Sequence, residues 1–343
     1  MKKLLNTLYV TTPDAYLSLD GENIVLLQDK NELGRVPLHN LEGIVCFGYR
    51  GVSPALMGAC AEKGIGLCFL TQYGRFLARI SGPVSGNVIL RKTQYFQAAD
   101  EMRSLKIAKS FLLGKIYNGR WCLERLKRDH PMRIDQERLN AAIGQMLHSI
   151  AELEKARTRE ELMGIEGIAA KAYFGEFSQM ILRNEEIFSF DGRNRRPPLD
   201  PVNAMLSFAY TLLGNEITGA LEAVGLDPAV GYLHTIRPGR ASLALDMLEE
   251  LRAPLADRFV VTQINLGIFT GKDFLKKENG AVFMTDDARK RFLSAWQKRK
   301  QETIVHPYLK EKIPWGMAAY TQALLLARYL RGDLDAYPPF LWK

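Results

Sequence analysis

Residues 15–27, AYLSLDGENIVLL, predict a β-hairpin. The first half alternates apolar and more polar positions, and the second half is a short, nearly continuous apolar run. Both patterns are typical of strands. Between them lies Asp20-Gly21, a dipeptide common in tight hairpin turns because glycine adopts positive φ angles at little cost. The first part of the chain is therefore predicted to be β structure.

The strand pattern continues to about residue 92. Further strands are predicted near residues 36–38, 43–47, 67–70 and 76–80. A short helix interrupts them, since Ser53 and Pro54 are typical of a helix start and Gly64 of a helix end. Residues 1–92 are thus predicted to form a small β-rich domain with one short helix.

Beyond residue 92 the apolar period changes from two to 3.6, which predicts helices. They are expected at about residues 95–128, 137–155, 158–182, 243–255, 286–303 and 315–331. Pro254 predicts a bend or an end in the fourth of these helices. The predicted fold class is α+β, with a small N-terminal β-rich domain (residues 1–92) followed by a larger all-α domain (residues 93–343).

Composition limits the classes of protein. With 47% hydrophobic residues the chain can fill a core, so it is not a disordered polymer. It has no apolar run near the roughly 18–20 residues that span a bilayer, and we expect a soluble cytoplasmic protein. Basic residues exceed acidic ones by 46 − 38 = 8, which suits a polyanionic partner. The four cysteines form no C-x-x-C pair and predict free thiols.

The first candidate for chemistry is Glu166. It lies among small residues, Gly164, Gly167, Ala169 and Ala170, which predict a thin helix that its neighbours can approach closely. A carboxylate in such surroundings needs a cation or a metal as partner, because an unpaired buried charge is costly. The alternative is a surface glutamate on an amphipathic helix.

The second candidate is His234, which lies near a helix end or loop, before Arg237-Pro238-Gly239-Arg240. Neutral imidazole is a common metal ligand. The alternative is a histidine that is hydrogen-bonded for structural reasons.

The third candidate is an acidic helix face. Asp246 lies three and four positions before Glu249 and Glu250, so the pairs share one face and repel each other unless a cation lies nearby. The alternative is a solvated face paired with Arg252. Glutamate, aspartate and histidine together offer the oxygen and nitrogen ligands that suit Mn²⁺ or Mg²⁺. No phosphate-binding loop, serine-hydrolase or zinc-protease motif is present.

At these residues the sequence resembles the CRISPR-associated integrase/endonuclease of the spacer-acquisition complex, over nearly the whole chain. The resemblance is closest to the branch of subtype I-C systems. It rests on four motifs in a fixed order: GIEG at 164–167, NRRPPLDPVNA at 194–204, GYLH at 231–234 and RPGRASLALD at 237–246.

The resemblance implies a divalent metal, Mn²⁺ or Mg²⁺, held by three ligands that are also the catalytic residues: Glu166, His234 and Glu249. Glu249 is implied because the family's third ligand lies three residues beyond the acid that matches Asp246. Asp246 then becomes a second acid that orients a ligand or the attacking group. Arg237 and Arg240, beside His234, are candidate contacts to DNA phosphates.

The resemblance further implies a homodimer formed through the β domain. Two such dimers would be bridged by a small ferredoxin-like partner, the second CRISPR-associated protein. The implied reaction is attack by the 3′-hydroxyl of a captured double-stranded fragment on the CRISPR repeat boundary, with water as nucleophile in the nuclease reaction. A stand-alone nuclease or resolvase for branched DNA and a non-catalytic DNA-binding scaffold remain the alternatives.

Overall fold

The chain divides into two compact units, neither of which is continuous in sequence. The first comprises residues 1–86 with 286–302, and the second comprises residues 87–285 with 303–343. The computed structural model describes residues 6–12, 14–29, 31–49, 51–72, 74–80, 82, 88–183 and 186–343. The domain boundary expected after residue 92 falls inside a helix, and residues 286–302, expected in the second domain, group with the first unit.

The regular elements are numbered in chain order. The strands are β1 (Thr7–Val10), β2 (Tyr16–Asp20), β3 (Asn23–Gln28), β4 (Asn31–Pro37), β5 (Gly43–Phe47), β6 (Gly66–Leu70), β7 (Phe76–Ile80), β8 (Phe274–Lys276), β9 (Val282–Met284), β10 (Thr303–Val305) and β11 (Lys312–Pro314). The helices are α1 (Pro54–Lys63), α2 (Val88–Ala99), α3 (Glu101–Asp129), α4 (Gln136–Lys155), α5 (Arg159–Gly175), α6 (Pro201–Ala223), α7 (Ser242–Leu251), α8 (Arg258–Asn265), α9 (Asp286–Gln301) and α10 (Ala318–Arg331).

The first unit contains two sheets. The predicted hairpin is confirmed: β2 and β3 are antiparallel, Asp20 pairs with Asn23, and Gly21 has a φ of +58°. With β4 they form a three-stranded sheet, while the other sheet has the order β1-β5-β6-β7. In the second sheet β1, β5 and β6 are parallel.

Helix α1 connects the parallel strands β5 and β6, and its predicted ends are confirmed. The Ser53 side chain accepts a hydrogen bond from the Leu56 N–H at 3.2 Å, and Gly64 ends the helix with a φ of +64°. Helix α9 completes the unit, and its Lys300 Nζ lies 3.3 Å from Thr7 Oγ1 of β1, 293 positions earlier in the chain.

The second unit is mostly helical, and the predicted α+β class is confirmed. Its longest helix, α3, packs against α4, α5 and α7. The helix predicted from residue 95 to 128 is divided at Asp100, whose side chain accepts a hydrogen bond from the Arg103 N–H at 2.9 Å and so caps α3. The second unit also contains two antiparallel hairpins, β8–β9 and β10–β11, so the prediction of an all-α domain is wrong at these positions. Strands of three residues are too short to show an apolar period of two.

A π-helical turn at residues 252–257 joins α7 to α8. Pro254, which has no N–H to donate, lies within it, and the α-helix ends at Leu251, so the end predicted near Pro254 is confirmed. No helix in the described ranges has the length and apolarity that a membrane crossing requires.

Candidate active site

Glu166 lies in the middle of α5, a helix whose first turn is capped by Thr158. The Thr158 hydroxyl accepts a hydrogen bond from the Glu161 N–H at 3.2 Å. A Cβ atom added at Gly164 or Gly167 would meet nothing within 4 Å. The expectation that these glycines let neighbouring helices approach closely is therefore wrong, because they face open space. They leave room next to Glu166, whose own side chain is 21% exposed.

Two carboxylates of the site share one ammonium group. Lys115, on α3, forms an ion pair with Glu166 Oε1, and its Nζ lies 2.7 Å from Glu249 Oε2 on α7. The Lys115 side chain is only 13% exposed. The sequence analysis did not single out Lys115, although a lone cation in the apolar run FLLGKI (residues 111–116) is a signal that could have done so.

Glu249 is buried and ionised. Its Oε1 accepts a hydrogen bond from Arg252 Nη2 at 3.0 Å, whereas its buried Oε2 has the ion pair with Lys115 but no well-directed hydrogen bond among the described residues. Burial alone would raise the pKa of Glu249, but the charges of Arg252 and Lys115, with a further contribution from His234, outweigh it and lower the pKa to about 2. The carboxylate is therefore negatively charged at any ordinary pH.

His234 is held by Asp246. The Nδ1 atom of His234 lies 2.7 Å from Asp246 Oδ1. The Asp246 carboxylate also accepts hydrogen bonds from the backbone N–H groups of Tyr232, Leu233 and His234, at 2.6, 3.0 and 2.8 Å. These contacts favour the tautomer with the proton on Nδ1 and leave Nε2 of His234 as the nitrogen with a free lone pair.

The loop before His234 depends on Gly231. A Cβ atom at this position would lie 2.8 Å from Asp246 Oδ2 and 2.8 Å from the Ser242 backbone carbon, so no larger residue fits without movement. Gly231 thus allows the backbone of this loop to approach Asp246 closely.

The third acid of α7, Glu250, belongs to a different network. It is buried and accepts hydrogen bonds from Gln322 Nε2 at 3.0 Å, from the Phe340 N–H at 2.6 Å and from the Tyr337 hydroxyl. The three acids of α7 therefore have three separate sets of partners. The alternative of a solvated acidic face is wrong, since Asp246, Glu249 and Glu250 are all buried, although its pairing with Arg252 is present at Glu249.

Arg252 connects the site to a second buried cluster. Its guanidinium lies over the Tyr210 ring, with 4.8 Å between the guanidinium carbon and the ring centroid. The Tyr210 hydroxyl donates to Asp257, which also accepts from the Tyr173 hydroxyl at 3.0 Å. Burial raises the pKa of Asp257 to about 6, against the opposing effect of these hydrogen bonds and of Arg252. The sequence analysis did not identify this support for Arg252.

The two arginines predicted to contact phosphate lie in a turn beyond His234. Arg237 is exposed and Arg240 is half-buried, and the Arg240 N–H donates to the Arg237 carbonyl at 3.1 Å. Arg237 is therefore more accessible to a ligand than Arg240.

The structure thus brings the predicted residues together in pairs. Lys115 joins Glu166 to Glu249, Asp246 holds His234, and His234 lies near enough to Glu249 to contribute to its electrostatic environment. In the part of the chain that the structure describes, no three His, Cys, Asp or Glu side chains are grouped closely enough to form a ready metal site.

Comparison with known proteins gives consistent matches over the chain. The family model described as CRISPR associated protein Cas1 matches residues 8–298. A CRISPR-associated endonuclease Cas1 of Chlorobaculum tepidum is 51% identical over 343 residues, with both chains covered completely.

Two solved structures have the same fold. A casposase bound to an integration product superposes with a TM-score of 0.85 at 23% identity, covering 98% of this chain and 94% of the casposase. A Cas6-RT-Cas1–Cas2 complex contains a chain with a TM-score of 0.82 at 22% identity, covering 100% of this chain and 36% of the other.

Proposed function

The chain belongs to the Cas1 family of CRISPR-associated proteins, and from this premise we propose that it is a metal-dependent DNA integrase with nuclease activity. In this proposal it inserts captured DNA fragments into a CRISPR array. The observation that carries the proposal is the pair of carboxylates, Glu166 and Glu249, that share the Lys115 ammonium beside a histidine held by Asp246.

The kinds of donor atom at the site suit a divalent cation, although the three side chains do not form a ready cage among the described residues. The Lys115 ammonium marks a position where positive charge is stabilised by two carboxylates, and Glu249 Oε2 is buried without a directed hydrogen bond. Glu166 and Glu249 would provide oxygen ligands and His234 would provide Nε2, a donor set suited to Mn²⁺ or Mg²⁺. When bound, such a metal would supply Lewis-acid chemistry, polarising the scissile phosphodiester and neutralising the charge that develops on it.

The other residues position the reacting groups. Asp246 keeps the His234 ring in one orientation and one tautomer, and Arg252 holds Glu249 through a 3.0 Å contact. The open face of α5 at Gly164 and Gly167 leaves space for a DNA backbone to reach Glu166. Arg237 and Arg240 would bind phosphate oxygens with their guanidinium groups.

The reaction is a transesterification. The 3′-oxygen of the captured fragment forms a bond to a phosphorus at the repeat boundary, and the bond from that phosphorus to the neighbouring 3′-oxygen breaks. The attacking hydroxyl loses its proton and the leaving oxygen gains one. Water in place of the 3′-hydroxyl gives hydrolysis, which is the nuclease activity.

A strand-joining assay tests the proposal. A labelled duplex fragment is incubated with a plasmid that carries a repeat, with and without MnCl₂. Joined product is expected from the wild type only with metal, and Glu166→Gln, His234→Ala and Glu249→Gln are expected to form none. Glu160→Gln, an exposed position on α5, is the matched control and should retain activity.

The outcome also separates the alternatives. Cleavage of branched DNA without any joining would favour a stand-alone nuclease or resolvase. DNA binding with neither reaction at any metal concentration would favour a non-catalytic scaffold and contradict the proposal.

The proposed partners are a second copy of this chain, bound through the β-rich residues 1–92, and the small ferredoxin-like second CRISPR-associated protein. A formal net charge of +8 suits a double-stranded DNA substrate. Support for the small partner comes from the similar fold of a chain in a complex with Cas2. Assignment to the subtype I-C branch stays a prediction. Light scattering of the whole chain tests the dimer, and a monomer at micromolar concentration would contradict it.

A further inference from the structure

The backbone at Lys115 is held by close packing of α3 against α7. At the preceding residue, Gly114, an added Cβ atom would lie 3.0 Å from Glu250 Cγ and 3.3 Å from Glu250 Cβ, so the two helices approach closely at this point. Two positions further, Ile116 is buried. The lysine therefore extends from a rigid part of α3, next to the helix that carries Glu249.

The Lys115 ammonium is the cation that Glu166 and Glu249 have in common. Glu166 has no other ion pair among the described residues, and Glu249 has only Arg252 in addition. Without Lys115, two carboxylates would face each other in a poorly solvated site, and their repulsion would be opposed by Arg252 alone.

A divalent cation bound by these two carboxylates would need the position that the ammonium occupies. Two positive groups cannot share it, because they repel each other strongly at such short distances where solvent is largely excluded. Metal binding must therefore be coupled to the departure of the ammonium.

We propose that Lys115 is an internal counter-ion that holds Glu166 and Glu249 together in the metal-free protein and competes with the divalent cation for them. This inference rests on the proposed function, because it assumes that both glutamates are metal ligands. It makes Lys115 a positioning residue that sets how much metal the site requires.

The test is calorimetric titration of the full chain with MnCl₂, combined with thermal unfolding. Lys115→Met removes the charge and keeps an unbranched side chain that is one heavy atom shorter. We expect it to bind Mn²⁺ about tenfold more tightly, because the competing state is lost. Without metal its melting temperature should fall below that of the wild type, and saturating Mn²⁺ should raise it by more than in the wild type.

Two further variants separate charge from packing. Lys115→Arg keeps a cation and should bind Mn²⁺ as weakly as the wild type or more so. Lys106→Met, at an exposed position on the same helix, should change neither affinity nor melting temperature. Lys115→Gln replaces the Met variant if that variant does not fold.

The titrations distinguish failure of the counter-ion inference from failure of the proposed metal site. Unchanged or weaker Mn²⁺ binding by Lys115→Met would overturn the counter-ion inference and leave the metal site standing. Absence of Mn²⁺ binding by the wild type and by every Lys115 variant would overturn the metal site itself, and with it the inference.

Discussion

The buried Asp257 is expected to make stability depend on pH in a way that one substitution removes. Its pKa is raised from 3.8 to about 6 by burial, so the folded protein holds a proton on this carboxyl over a range where the unfolded chain has lost it. The stabilisation that Asp257 contributes is therefore fully present below pH 3.8 and is lost as the pH rises through 6. Asp257→Asn cannot titrate and lacks this dependence.

The magnitude follows from the two pKa values. Their difference, 6 − 3.8 = 2.2, corresponds to about 3 kcal/mol at about 1.4 kcal/mol for each pH unit. The free energy of unfolding of the wild type, relative to Asp257→Asn, should fall by about this amount between pH 3.8 and pH 7. Urea unfolding at several pH values, followed by circular dichroism, measures both proteins.

A second substitution tests the cause. The Tyr173 hydroxyl donates to Asp257 at 3.0 Å and opposes the effect of burial, so Tyr173→Phe should raise the pKa of Asp257 further and extend the loss of stability above pH 6. A constant difference in unfolding free energy between the wild type and Asp257→Asn across the whole range would refute the reasoning.

Three other predictions concern the site and its substrate. Asp246→Asn should lower the rate of strand joining by about 10–100-fold, and it should also lower the melting temperature. The reason is that Asp246 accepts hydrogen bonds from three backbone N–H groups and also orients His234. A wild-type rate of strand joining would contradict its positioning role. Duplex DNA affinity should fall steeply with salt in filter-binding titrations, and Arg237→Gln should flatten the slope, whereas an affinity independent of salt would remove the electrostatic argument. Gly167→Leu should leave the fold intact, since the position faces open space. It should reduce strand joining, because DNA that passes over α5 would meet the larger side chain. Full activity of this variant would show that the DNA binds elsewhere.

Local signals in the sequence predicted local structure well. The hairpin at residues 15–27 and helix α1 are specified by Asp20-Gly21, Ser53 and Gly64, whose effects act within a few residues. The capping of α3 by Asp100 is also a local effect. Asp100 lies inside a continuous helical period, however, and the period alone does not show that a helix ends and another begins there.

The candidate site was less predictable because its contacts join distant positions. Asp246 was expected to support a ligand, and its contact with His234 agrees with that role, which stays a prediction. The apolar surroundings of Lys115 suggest only that it needs a partner, and the partners are 51 and 134 positions away. The small residues around Gly164 and Gly167 predict close helix packing, but such a pattern does not distinguish a close neighbour from open space.

The position of α9 determines when the first unit can be completed during synthesis. Its β strands are made by residue 80, but Lys300, which contacts Thr7, is added only after the ribosome has made most of the second unit. A nascent chain therefore carries an incomplete first unit for some 200 residues, or about 10–40 s at elongation rates of about 5–20 residues per second. An isolated fragment of residues 1–92 would resemble that unfinished state rather than the complete unit. In such a fragment the Thr7 side chain of β1 would lack its contact with α9.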